Sequence, residues 1–185
     1  MIIDNLLELK DRSELRKWYE ENACESSYFW LVVSVKPKDG LILYLDAVEE
    51  AICFGWIDGI KKKTVDGRLA QRFTPRRKKS NWTELNKERA RRLIRLKKMT
   101  PLGEKTLPDL SDALIIDVEI MTRLKENQNI YQEYIKLPEL YRRIRIDTIQ
   151  SVRKDREMYL KRLDKFIEQT SLGKMFGQWN DGGRL

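Results

Sequence analysis

The spacing of apolar residues changes along the chain. Leu15, Trp18 and Tyr19 recur at three to four residues behind Ser13, which predicts a helix capped by Ser13 and running to about Asn22. Phe29–Val35 is an apolar run broken only by Ser34 and stopped by Lys36-Pro37-Lys38-Asp39-Gly40, the pattern of a strand buried on both faces and followed by a turn. Leu41, Tyr44, Leu45, Val48, Ala51 and Ile52 return to helical spacing, so a helix is expected over Leu43–Cys53, with a second strand from near Phe54. Strand, helix and strand joined this way predict a crossover with the two strands parallel.

Asp66-Gly67 reads as a two-residue turn that folds the second strand into a hairpin. With that turn Ile60 faces Phe73, Asp58 faces Pro75 and Lys61 faces Arg72. The first is a core pair. The last sets two cations side by side, which destabilises a sheet unless an anion lies over them or the register is different. Asn81 and Glu84 have the spacing of a capping box opening a helix from Trp82 to about Lys98, and Thr100-Pro101-Leu102-Gly103 stops it and starts a short one.

Past Pro108 no strand pattern remains. Asp109–Asn127 and Tyr131–Ile146 read as helices interrupted at Pro138. Ile149, Val152, Tyr159, Leu160, Leu163, Phe166 and Ile167 form the stripe of a long last helix ending near Gly173. The tail around Trp179 is expected to fray or to dock through Trp179 alone. The chain is therefore read as α+β: a small mixed β-sheet with packed helices over residues 1–107, then a helical C-terminal region over residues 108–185.

Composition narrows the chemistry. The chain has no histidine, which excludes Ser-His-Asp and Cys-His catalysis and most zinc and non-haem iron sites. Its two cysteines, Cys24 and Cys53, lack CxxC spacing and read as small buried residues. Asp46, Glu49 and Glu50 read as solvent-facing charges, and neither a metal nor a cofactor is expected. The N-terminus carries no signal-like run and no segment is apolar enough to span a bilayer, so a cytoplasmic protein is expected.

The net charge is +8, and Arg76–Lys98 alone holds eleven basic residues against Glu84 and Glu88. A partner drawn by charge meets this segment first. The outward face of its helix, with Lys87, Arg91, Arg92, Arg95 and Lys98, suits weak, nonspecific and salt-sensitive contact with a nucleic-acid backbone, since no base-reading motif accompanies it.

The candidate chemistry lies beside that segment. Asp58, between Gly55 and Gly59, is a candidate general base or a structural partner of Arg76, and Trp56 is core or the wall of a cleft. Arg72, Arg76 and Ser80, with the free amides opening the following helix, suit an anionic small molecule or phosphate-bearing ligand. Strict alternation places Arg72 on the other strand face, so a bulge or twist near Pro75 is needed to bring it in. Asn86 and Arg89 sit at the edge of the buried helical stripe, turned toward the same loop.

Glu50-Ala51-Ile52-Cys53-Phe54-Gly55-Trp56-Ile57-Asp58-Gly59, Gln71–Trp82 with its Arg72-Phe73-Thr74-Pro75-Arg76 core, Asn86, and Met99-Thr100-Pro101-Leu102-Gly103 together resemble the ordered blocks of the YdeI/OmpD-associated (bacteriocin-protection) family. Trp18 and the Phe29–Lys36 run are similar to that family's opening. Lys97 stands where that family has glycine, and Thr148, ahead of Ile149-Gln150-Ser151-Val152-Arg153-Lys154, where it has tryptophan. The resemblance implies a stress or bacteriocin-protection factor and supplies no reaction.

Overall fold

A computed structural model describes residues 2–77 and 80–185. They form two compact units, one comprising Met1–Asn81 and Arg89–Leu110, the other Trp82–Glu88 and Ser111–Leu185. The first holds a four-stranded mixed sheet and its helices; the second is helical.

The sheet runs β1 (Leu6–Leu7), β2 (Phe29–Val32), β4 (Leu69–Pro75), β3 (Trp56–Lys63). β1 is parallel to β2, and β4 is antiparallel to both β2 and β3. β2 and β3 therefore point the same way, as the crossover requires, but β4 lies between them. β2 ends earlier than its apolar run because Ser34 leaves the ladder and bridges to Leu43. β1 carries no sequence signal; two residues are too few for a period to register.

The hairpin register differs from expectation. Thr64 N–H donates to Arg68 O at 2.9 Å, so the loop is Val65-Asp66-Gly67, with Gly67 at φ +82°, the left-handed position of a three-residue hairpin loop. A bulge between Asp58 and Lys61 shifts the pairing again. Asp58 faces Phe73, Trp56 faces Pro75 and Lys61 faces Gln71. Ile60 is 47% exposed and is no partner of Phe73. The buried Gln71 amide donates to Gly59 O (2.8 Å) and Ile60 O (3.2 Å), satisfying carbonyls that the bulge takes off the ladder. The expected Lys61/Arg72 cation pair does not form.

Phe29, Phe73 and Trp56 occupy one sheet face, where Trp18 and Tyr19 of α1 (Arg12–Asn22) meet them; Phe29 stacks on Phe73 at 5.4 Å and meets the tilted Trp18 ring at 4.2 Å. Burying each such side chain contributes about 2–3 kcal/mol. Asp11, rather than Ser13, caps α1, accepting from Ser13 N–H (2.7 Å) and Glu14 N–H (3.0 Å).

In α2 (Tyr44–Cys53), Glu49 and Glu50 are not solvent-facing: they are 0% and 1% exposed. Arg12 donates to both, with its Nη1 2.5 Å from Glu49. Arg16 Nη1 reaches Glu50 at 2.9 Å and Arg92 Nη1 reaches Glu49 at 2.8 Å. The helical period correctly puts both acids opposite Ala47, Val48, Ala51 and Ile52. It cannot show that arginines from two other helices close over that second face.

α3 (Glu84–Arg95) is shorter than expected and opens at Thr83, whose hydroxyl accepts from Asn86 N–H at 3.2 Å, rather than at Asn81. It ends in a reverse cap: Lys98 N–H donates to Leu93 O and Lys97 N–H to Ile94 O, both at 2.9 Å, with Lys97 at φ +55°. A lysine there carries the left-handed penalty that glycine escapes. Lys97→Gly is expected to stabilise the chain by about 0.5–1 kcal/mol, read as a higher urea midpoint; a lower midpoint would contradict the assignment. α4 (Pro101–Glu104) follows as the Thr-Pro pattern predicts, capped by Thr100.

The second unit contains α5 (Val118–Lys125), α6 (Gln128–Lys136), α7 (Glu139–Gln150) and α8 (Arg156–Ser171) around Ile120, Leu124, Tyr141, Ile149, Leu163 and Phe166. Residues 109–117 are not helical; Gln150 holds their end extended, accepting from Asp117 N–H (2.8 Å) and donating to Ile115 O (3.0 Å). Ile149 belongs to α7 and Val152 to the turn before α8, because Asp155 caps α8 by accepting from Met158 N–H at 3.0 Å. α8 ends as expected, with Gly173 at φ +64°. The tail docks through Phe176 as well as Trp179: both rings pack against Tyr141, and Phe176 N–H donates to its hydroxyl at 3.3 Å. Among the described residues no helix is long and apolar enough to cross a membrane.

Candidate functional site

The end of the sheet where β3 begins and β4 finishes gathers part of the expected site. Gly55 turns the chain from α2 into β3 at φ +74°; a Cβ there would lie 2.8 Å from Thr106 Cγ2 and 2.9 Å from Leu102 O. Its carbonyl accepts from Arg76 N–H at 2.8 Å, which fixes where Arg76 leaves β4. The Arg76 side chain turns inward and is only 7% exposed. Its Nη1 makes long contacts with Ser80 Oγ (3.5 Å) and Asn81 O (3.4 Å). Burial pushes the guanidinium pKa down to about 10, with the Asp58 charge opposing that fall. Asp58 accepts from the Tyr44 hydroxyl at 2.6 Å. Arg76, Ser80 and Asp58 thus share one neighbourhood, and Tyr44 joins them.

The other expected members lie elsewhere. Arg72 pairs with Trp30 on β2 and, by alternation, occupies the face opposite Phe73 and Asp58. Its guanidinium lies over the Tyr28 ring at 4.4 Å. The bulge that would have turned it falls in β3, not beside Pro75. Trp56 is core rather than a cleft wall, 1% exposed among Trp18, Tyr19 and Phe29. Trp82 and Asn86 count with the second unit and Arg89 with the first. Lys78 and Lys79 lie outside the described residues.

Two tyrosines went unread in the sequence. Tyr44 looked like one more apolar helix position. Tyr19, expected only as core, has a fully buried hydroxyl without a hydrogen-bond partner. Burial drives its pKa well up, and the charges of Glu50 and Asp58 add to the rise.

The basic helix face is largely engaged. Lys87 pairs with Glu84 at 2.8 Å, Arg91 donates to Leu110 O at 2.5 Å, and Arg92 holds Glu49. Cys53 is buried, and burial, reinforced by Glu50, pushes its thiol up to about 11, so it stays protonated at neutral pH. Cys24 is exposed, not buried as expected, because it follows the last turn of α1. No group of Cys, Asp and Glu suited to a metal occurs among the described residues.

Fold and site together define a small α+β domain in which an inward-turned arginine feels the charge of a tyrosine-held carboxylate at one end of a mixed sheet. Residues 7–106 match the family described as a domain of unknown function (DUF8412), and the chain belongs to that family. No curated protein and no solved structure matches it.

Proposed function

We propose that the first unit is an anion-binding module of a stress or bacteriocin-protection factor of the YdeI/OmpD-associated kind, taking a small carboxylated or phosphorylated ligand at Arg76 and Ser80. The observation that carries this reading is the burial of Arg76 with its charge disfavoured. Because the folded chain holds that proton less tightly than an unfolded one, the arginine costs stability at neutral pH. A residue retained at such a cost suits a task, and an oxyanion within reach of Nη1 and the Ser80 hydroxyl would offset the lost hydration. The resemblance of the blocks containing Asp58 and Arg76 to the bacteriocin-protection family supports the physiological half of the reading. A cytoplasmic setting fits two free cysteines, one of them exposed.

Asp58 is engaged by Tyr44, an arrangement suited to a fixed acceptor that orients Arg76 rather than to a general base. Nucleic-acid contact, reduced by the engaged lysine and arginines of α3, remains at most weak and nonspecific in this reading.

Sulfate titration followed by amide NMR tests the proposal. Saturable shifts are expected at Gly55, Arg76 and Ser80 in the wild type and none at those amides in Arg76→Ala, whose stability without ligand stays within about 1 kcal/mol of wild type. Equal shifts in both proteins would overturn the reading.

A further inference from the structure

The second unit contains a cavity of about 260 Å³ lined by Arg145, Thr148, Ile149, Arg162, Lys165, Phe166 and Phe176. We propose that it binds a small organic phosphate, with the phosphate group among the three cations and an apolar body on the ring and aliphatic floor. This site is separate from the one around Arg76 and does not depend on it.

Three cations and no carboxylate line one small cavity. Like charges gathered on an apolar floor repel one another, whereas two other arginines of this unit have carboxylate partners: Arg123 with Asp164 at 2.9 Å, Arg156 with Glu119 at 2.6 Å. Arg145, Arg162 and Lys165 form no such ion pair among the described residues.

What they do instead holds them in place. Arg145 Nη2 donates to Gln178 O at 2.7 Å, and its guanidinium lies 5.4 Å from the Phe176 ring and 5.9 Å from that of Tyr141. Its Nε is buried without a hydrogen-bond partner, and burial lowers its pKa. Arg162 Nη1 donates to Thr148 O at 2.6 Å, fixing the guanidinium against α7. Lys165 Nζ sits 5.1 Å from the Phe176 ring. Gly177 lets the tail pass so close that a Cβ there would lie 2.6 Å from Arg145 Nη1. The tail thus positions Arg145 and supplies Phe176.

The ligand class follows from charge and shape. A carboxylate would neutralise one of three cations, whereas a phosphomonoester carries about −1.5 to −2 charges near neutral pH and three acceptor oxygens. Arginine forks suit those oxygens, and lysine adds a point charge. Ile149, Phe166 and Phe176 give the organic body a surface that inorganic phosphate cannot use.

The test titrates the full chain with phenyl phosphate, inorganic phosphate and benzoate at constant ionic strength, following the Phe176, Gly177 and Gln178 amides by NMR. Phenyl phosphate is expected to bind saturably, at least tenfold more tightly than either other probe. Lys165→Glu, at an exposed position, is expected to weaken it at least tenfold, and Thr148→Trp, which fills the cavity without changing charge, to abolish it. Arg76→Ala leaves this binding unchanged, which separates the proposal from the first-unit site. No saturable binding by the wild type, an equal affinity for benzoate, or unaltered binding by folded Lys165→Glu would each overturn it.

Discussion

Glu50→Ala is expected to destabilise the first unit by about 3–5 kcal/mol, because it removes a buried carboxylate shared by two arginines. Glu50 accepts from Arg12 Nε and, at 2.9 Å, from Arg16 Nη1, while Glu49 takes Arg12 and Arg92. Removing one carboxylate strips Arg16 of its 2.9 Å partner and leaves the partly buried Arg12 dependent on Glu49 and on Asp46, 3.6 Å away. The wild-type pairs themselves add little net stability, since desolvating five charges offsets most of their attraction; the loss comes from leaving guanidiniums that stay charged, and rehydrate only in part, short of a buried partner. Glu119→Ala is the control. Its bidentate partner Arg156 is mostly exposed, and screening by water makes that loss much the smaller of the two. Urea unfolding of the two variants reads the contrast, and equal losses would show that burial of the Glu49/Glu50 network carries no energetic weight.

That network marks where sequence reading stops. Period alone located α1, α2 and the fully buried β2, because each buries a regular stripe. It also placed Glu49 and Glu50 on the face away from that stripe, correctly. What it lacked was the tertiary fact that Arg12, Arg16 and Arg92 cover that face. The hairpin failed for a related reason: Asp66-Gly67 is compatible with a two- or a three-residue loop, and the choice shifts every pair in the ladder. The bulge between Asp58 and Lys61 shifts them again, and a glycine inside a strand is compatible with such a break without fixing its place. Of the candidate site, Arg76, Ser80 and Asp58 were legible as neighbours through the turn. Arg72 was not, since its inclusion needed a bulge in β4 that occurs in β3. The cavity between Arg145 and Lys165 left no trace, because its members come from α7, α8 and the tail, at spacings set only by packing.

Gly103→Ala is expected to cost about 3 kcal/mol, the reverse of its effect on an isolated helix. In a solvent-exposed helix, replacing glycine with alanine gains about 1 kcal/mol through backbone entropy. Gly103 lies in α4, where a Cβ would sit 2.2 Å from Cys53 O and 2.6 Å from Met99 Sδ. The sulfur can swing aside; the carbonyl cannot, because it ends α2 and accepts from Thr100 Oγ1 at 2.6 Å and from Thr100 N–H at 3.2 Å. The methyl group must therefore push α4 away from α2, breaking those bonds and uncovering Cys53. This joint explains why Cys53-Phe54-Gly55 and Thr100-Pro101-Leu102-Gly103 occur together in one chain: Thr100 and Gly103 dock on Cys53, while Gly55 admits Leu102 O and Thr106. Gly59→Ala tests the same logic from the other side. Its Cβ would meet only Arg72 O at an ordinary 3.7 Å, and its φ is not positive, so the change is expected to stay within about 0.5 kcal/mol of wild type. Thermal or urea unfolding compares the two, with alkylation of Cys53 as a second readout. In Gly103→Ala the thiol becomes reachable well before global unfolding, and in Gly59→Ala it stays as protected as in the wild type. A Gly103→Ala protein as stable and as protected as the wild type would mean that α4 does not rest on the end of α2.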